Sequence, residues 1–78
     1  MITDAKLKHD NIIDNVKVSL GIDTVFLFTN SLPKNVVPKV GDEIILDFED
    51  SHLLINSIVP LITGKMDWDN YALKVEVL

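Results

Sequence analysis

Residues 71–77 read YALKVEV, and this stretch at the end of the chain decides the fold class. Apolar or aromatic side chains occupy every second position, and smaller or charged side chains stand between them. A period of two is the pattern of a β-strand that buries one of its two faces. We therefore expect a strand here, with one face in a core formed by Tyr71, Leu73, Val75 and Val77.

The same alternation recurs earlier in the chain. Residues 43–49 alternate apolar and acidic side chains, and residues 16–20 alternate apolar and polar ones. The stretch 24–29, TVFLFT, is apolar on both faces and suits a central strand. Residues 53–63 form a longer apolar run that is interrupted at residues 56–57, which indicates one bent strand or two short strands around a bulge. The first two stretches predict the inward side chains Val16, Val18, Leu20, Ile44, Leu46 and Phe48.

Polar and glycine-containing segments separate these strands. Gly21 marks a turn or bulge between two of them, and residues 49–52 read as the tight turn of a hairpin. Residues 30–41 contain two prolines and a glycine and predict an ordered surface loop. Residues 64–70 form the loop before the final strand.

The whole pattern predicts a single all-β domain over residues 1–78. The strand number favours a small five- or six-stranded barrel or a rolled antiparallel sheet, with or without a short N-terminal helix. The first dozen residues fit either that helix, over about residues 4–14, or a short strand around Leu7, and we favour the strand. Closure into a barrel would avoid the exposed edges of an open sheet.

The segment 38–44, PKVGDEI, followed by two hairpin-like runs, resembles the entry from loop to strand in SH3-like small β-barrels. It is also similar to short proteins of unknown function from bacterial and phage genomes. In this segment Gly41 permits a sharp bend, and Asp42 can cap the turn by accepting hydrogen bonds from backbone N–H groups. The resemblance covers residues 38–78 and implies a fold without implying an activity.

Composition narrows the classes of function. The chain has no cysteine, which excludes disulfides and thiolate metal sites. It has no arginine and a net charge of −5, so nucleic acid is not an expected partner. Residues 41–78 carry two lysines against eight acidic residues, whereas residues 1–40 carry five lysines against four aspartates. The N-terminal stretch MITDAKLKHDN contains no apolar run of the signal-peptide type, and no stretch is long enough to span a membrane, so we expect a cytoplasmic setting.

The sequence contains no complete motif for a catalytic, phosphate-binding or metal-binding site. The two histidines, His9 and His52, stand beside no nucleophile motif, and the Thr-Gly-Lys at residues 63–65 lacks the rest of a phosphate-binding loop. Residues 67–70, DWDN, begin like a calcium loop but lack its later glycine and glutamate. We therefore expect no enzyme activity, no cofactor and no metal.

Partner binding is the expectation that remains. Isoleucine, leucine, valine and phenylalanine together supply 31 residues, more than so short a chain can bury. A patch covered by self-association or by another protein follows from this excess. For Trp68 we favour a side chain that folds back to plug one end of the barrel. The alternative is an exposed anchor for a partner, because tryptophan and tyrosine are common at binding hot spots. The candidate interface residues lie in the two long loops and at the start of the last strand: Val36, Val37, Met66, Trp68 and Tyr71.

Two alternatives to a protein-interaction or assembly module stay open. Three carboxylates alternate along one predicted strand face, Glu43, Asp47 and Glu49, and would suit a small acidic inhibitor or decoy of a basic, nucleic-acid-binding protein. The second alternative is an oligonucleotide-binding barrel, which needs exposed aromatic side chains beside lysines. Four residues meet this requirement: Lys65, Trp68, Tyr71 and Lys74. The acidic residues at 67 and 69 lie among them and weaken this alternative.

Overall fold

A computed structural model describes residues 2–64 and 67–78, which form a closed antiparallel barrel of six strands. The order around the barrel is β1-β2-β3-β6-β5-β4, and pairing of β1 with β4 closes it. The strands are β1 Ile2–His9, β2 Ile12–Leu20, β3 Thr24–Phe28, β4 Glu43–Leu46, β5 Ser51–Leu61 and β6 Asn70–Val77, and a 3₁₀ turn over Thr29–Ser31 follows β3. The all-β prediction is confirmed. The described part of the chain contains no α-helix, so the alternative of an N-terminal helix is wrong. Residues 2–64 and 67–78 therefore include no helix that could span a membrane.

The centre of the barrel is one layer of side chains to which every strand contributes once. Each member of this layer has less than 2 % of its surface exposed. Because side chains alternate along a strand, one inward residue from each of six strands fills the cross-section at this level. The members are Leu7, Val18, Leu27, Ile44, Ile55 and Leu73.

The N-terminal segment is a full strand because a two-residue turn folds it onto β2. Asp10 and Asn11 both have positive φ, of 48° and 67°, and their neighbours His9 and Ile12 form the first pair of the ladder. Positive φ at both central residues is the geometry of a type I′ hairpin turn, which asparagine and aspartate tolerate better than other side chains. The strand predicted around Leu7 is therefore confirmed, and it spans Ile2–His9.

Strand β4 is shorter than its alternation predicted. It ends at Leu46, and residues 47–50 form the turn into β5, two positions earlier than expected. In this turn the backbone N–H of Asp50 donates to the carbonyl of Leu46 at 2.8 Å, and Asp50 adopts a positive φ of 53°. Phe48 was predicted to point into the core, but it lies in the turn with 56 % of its surface exposed. That prediction is wrong because the chain reverses before the alternation reaches Phe48.

Val77, which was expected in the core, is another wrong prediction, because it lies at the end of β6 with 74 % of its surface exposed. Three other sequence signals are placed as expected. β5 is one strand with a register shift between Ile55 and Ser57, which is the predicted bulge. Gly21 lies in the turn between β2 and β3, where its N–H donates to the Thr24 carbonyl. Asp42 caps its turn by accepting a hydrogen bond from the N–H of Lys39 at 2.9 Å.

The two ends of the barrel differ because their connections differ in length. One end carries only the short β2–β3 and β4–β5 turns, and we call it the open end. The other carries the β1–β2 turn and residues 29–42, and we call it the covered end. The long segment lays Leu32 and Val36 against the core and buries Pro38. The covered end is thus closed by the chain itself.

The central layer gives a test of the fold. Replacing Ile55, which is fully buried, by alanine should lower the free energy of unfolding by about 2–5 kcal/mol, because the removed atoms leave a cavity. Ile22→Ala makes the same chemical change at a side chain that is 92 % exposed and should cost no more than about 0.5 kcal/mol. Urea denaturation followed by circular dichroism measures both. Equal losses in the two variants would contradict the barrel interior described here.

Candidate functional site

The outer surface of the barrel carries both ion pairs and a row of uncharged side chains. Around β1 and β4, Lys6 pairs with Asp47 at 2.9 Å, and the ring of His52 lies 3.1 Å from a carboxylate oxygen of Glu43. One lateral row of outward residues runs around the barrel across five of its six strands: Ile2, Ser19, Phe26, Ala72 and Val59. No member of that row carries a charge.

A second apolar row lies beside the first. Phe28, Asn70 and Leu61 are neighbours across β3, β6 and β5. The indole of Trp68, which precedes β6, lines a groove together with Ile2 and Phe28, so it joins the two rows. We call this surface the apolar outer face, and we define it by Ile2, Phe26, Phe28, Val59, Leu61 and Trp68.

Trp68 is an exposed side chain, with 63 % of its surface accessible. The expectation that it plugs one end of the barrel is therefore wrong. It forms one wall of a shallow groove of about 280 Å³, and Lys17 and Asp67 contribute the polar part of the lining. This volume is below the roughly 300–1,000 Å³ of typical small-molecule sites. The groove suits the side chains of a protein surface better than a cofactor.

Lys17 is held at the edge of this groove by its neighbour on β1. Its Nζ donates to Asp4 Oδ1 at 2.7 Å, across a directly opposed pair of the β1–β2 ladder. The hydrogen bond from Lys17, and then its charge, lower the pKa of the Asp4 carboxyl. The two charges at this edge of the apolar outer face are thus paired with each other.

The loop that presents Trp68 is anchored by the residue that follows it. Asp69 is buried, and its carboxylate accepts hydrogen bonds from the hydroxyl of Thr63 at 3.0 Å and from the N–H of Gly64 at 2.7 Å. Its backbone carbonyl accepts a hydrogen bond from the N–H of Thr29 at 2.9 Å. Asp69 therefore fixes the loop to the barrel, a role that the alternating DWDN sequence does not reveal. Asp67, by contrast, is exposed and lines the Trp68 groove.

The other candidate interface residues lie apart from Trp68. Val36 packs against the core, whereas Val37 is exposed. Both line a depression of about 310 Å³ at the covered end, separate from the Trp68 groove. Tyr71 packs partly against the core, and Met66 lies outside the described residues.

The three candidate acidic residues occupy different positions. Glu43 is on β4 and faces His52, whereas Asp47 lies in the β4–β5 turn and pairs with Lys6. Glu49 lies in the same turn, at the rim of the open end. The structure therefore brings Asp47 and Glu49 together in a turn instead of placing all three on one strand.

A histidine–carboxylate pair that was not predicted from the sequence links the two strands of the first hairpin next to its turn. The Nε2 atom of His9 lies 2.6 Å from Oδ2 of Asp14, and both side chains are largely buried. The hairpin register places His9 opposite Ile12 and Asp14 opposite Leu7, two positions away on the same face. The spacing of five residues around an Asp-Asn turn is the signal that could have found it. The pair therefore connects β1 to β2 through their side chains as well as through the backbone ladder.

The described residues contain no group of three or more His, Cys, Asp or Glu side chains arranged to hold a metal ion. Comparisons with protein-family models, with curated proteins and with solved structures gave no match to this chain. Its function is therefore argued from its own residues.

The anchoring role of Asp69 is testable by substitution. Asp69→Ala should lower the free energy of unfolding by about 1–3 kcal/mol, because the hydroxyl of Thr63 and the N–H of Gly64 lose their acceptor in a partly buried loop. Asp67→Ala removes the same group from an exposed position and should change stability by no more than about 0.5 kcal/mol. Urea denaturation followed by circular dichroism separates them. A loss at position 67 as large as that at position 69 would contradict the assignment.

Proposed function

We propose that this protein is a non-enzymatic interaction or assembly module that acts through its apolar outer face. The observation that carries the proposal is the groove in which the exposed side chain of Trp68 meets Ile2 and Phe28. This groove adjoins an uncharged row of outward residues that crosses five strands and ends at Val59. A contiguous exposed apolar surface on a small domain is typical of a protein–protein contact.

The composition of the face supports the same function. Interface cores are enriched in aromatic residues and depleted in charge. The face supplies Trp68, Phe26 and Phe28, and a neutralised pair, Lys17 with Asp4, stands at its edge. The backbone at Trp68 is held by the hydrogen bonds of Asp69 and by one from Asn70 to the Trp68 carbonyl, so little backbone order would have to be gained on binding.

A barrel filled by its own side chains offers little room for catalysis, which needs a cleft in which groups converge. Each of the two histidines is paired with a carboxylate on a neighbouring strand. For an oligonucleotide, the stacking platform would have to include Tyr71, whose ring packs partly against the core, and Lys74, whose Nζ donates to Thr24. These placements favour a protein partner, and we propose a cytoplasmic one because the chain carries no cysteine.

Self-association is the first form of this function to test. Val59→Glu places a charge within the apolar outer face, and it should convert a defined oligomer of the wild type into a monomer, because a charge buried in a contact without a partner is strongly disfavoured. Size-exclusion chromatography with light scattering over a wide dilution series measures the state. The emission of Trp68, the only tryptophan, should shift to the red on dissociation in step with the mass.

Ile13→Glu is the matched control. Ile13 is 53 % exposed and Val59 is 54 % exposed, both on outward positions of strands, but Ile13 is cross-strand from Lys8 and outside the apolar outer face. The control should keep the wild-type mass. A wild type that is monomeric at every concentration would rule out self-assembly, and the face would then be tested by comparing what the wild type, V59E and I13E capture from the source cell. Equal capture by all three would contradict the proposal.

A further inference from the structure

The open end of the barrel contains a second apolar site that the interaction through the outer face does not use. Six inward side chains line a depression of about 270 Å³ between the short turns: Leu20, Val25, Leu46, Leu53, Val75 and Val77. Five of them are the inward positions next to the central layer, and Val77 is one inward position farther along β6. At the covered end a long segment packs over the core, whereas the connections at the open end have only three and four residues. Val25, Leu46 and Leu53 are buried at the bottom of the depression, Leu20 and Val75 are half-buried, and Val77 is exposed.

The surroundings of this depression are apolar as well. Ile22, Phe48, Val77 and Leu78 lie in the turns and at the strand end of the open end, and each has more than half of its surface exposed. Side chains of this size are rarely left together in water without a contact that covers them. The wrong prediction for Phe48 is part of this feature, because the early turn moves the ring from the core to the rim.

Two carboxylates flank the depression from opposite turns. Asp23 belongs to the β2–β3 turn, and Glu49 belongs to the β4–β5 turn. Within residues 2–64 and 67–78 neither carboxylate has an ion-pair or hydrogen-bond partner. The Nζ of Lys74 donates to the hydroxyl of Thr24, which lines the same depression, and pairs with neither carboxylate. Both exposed carboxylates are therefore available to basic groups of a partner.

Size and charge together define the occupant. The volume is below the roughly 300–1,000 Å³ of small-molecule sites, and it suits one or two apolar side chains. An acidic rim around an apolar floor complements a basic residue beside an apolar one, and the net charge of −5 would steer such a segment toward the protein.

We infer that the open end binds a segment of a partner protein that inserts an apolar side chain between lysine or arginine residues. The apolar side chain occupies the depression, and its basic neighbours pair with Asp23 and Glu49. This site is distinct from the apolar outer face and does not depend on assembly through it.

The test uses a synthetic peptide with a central leucine between two lysine pairs. Methyl NMR spectra of the full-length protein should show shifts at Leu20, Val25 and Val75 on titration. A peptide with serine at the centre should cause no such shifts. Asp23→Asn together with Glu49→Gln should weaken binding by about three- to tenfold, since each exposed pair contributes modestly. Asparagine also tolerates the positive φ of 59° at position 23.

The control removes two other exposed carboxylates, by Asp10→Asn and Asp67→Asn, and therefore matches the change in net charge. It should bind the peptide as the wild type does. Equal weakening in both double variants, shifts confined to the apolar outer face, or no shifts with the leucine peptide would each overturn the inference. Shifts of the same methyl groups on dilution without peptide would show that a second copy occupies the open end and would also overturn it.

Repeating the peptide titration with Val59→Glu distinguishes binding at the open end from association through the apolar outer face. This variant should bind the peptide with unchanged affinity, because Val59 faces outward from β5 and does not line the depression. A monomeric wild type that binds the peptide would refute self-assembly and support the open-end site. An oligomeric wild type that does not bind the peptide would support self-assembly and refute the open-end site.

Discussion

Closure of the barrel by the pairing of β1 with β4 is the constraint on which the rest of the structure depends. The two strands pair over only four positions, from Ala5 opposite Leu46 to Lys8 opposite Glu43. This short ladder removes the edges that an open six-stranded sheet would expose. It also completes the ring of six side chains in the central layer, because Leu7 and Ile44 become direct neighbours. The interior of so small a ring holds little more than that layer and the layers next to it.

The narrow interior explains why so many apolar side chains lie outside. A strand has two faces, and a closed barrel buries only one of them. The sequence supplies apolar residues to both faces of β3 and to the outer positions of β5, so closure turns Phe26, Phe28 and Val59 outward. On β1 the outward positions are mainly charged and find partners across the ladders. The apolar outer face follows from this unequal distribution.

Most of the fold could be predicted from alternation alone, and the errors have physical causes. The pattern located β2, β3, β5 and β6, including the bulge after Ile55. The pattern predicted a β4 that is too long, because the alternation continues to Phe48 while the backbone turns at residue 47. β1 was left open between strand and helix, although Asp10-Asn11 is a pair that accepts positive φ and could have indicated the hairpin.

The candidate sites were less predictable than the strands because they depend on which residues become neighbours around the ring. The strand order places β3 beside β6, and only this order brings Phe26, Ala72 and Val59 into one row. The role of Asp69 depends on a contact with the N–H of Gly64 that composition does not encode. Trp68, singled out by residue type alone, is held exposed by that contact.

The difference between the two ends follows from connection length. A turn of three or four residues can reverse a strand but cannot also extend across the mouth of a barrel, whereas residues 29–42 are long enough to do both. The uncovered layer at the open end is therefore a consequence of the turns that allow tight strand pairing there. Covering it with the protein's own chain would require longer turns at positions 21–23 or 47–50. Since those turns also carry Asp23 and Glu49, the same short segments create both the apolar floor and the acidic rim.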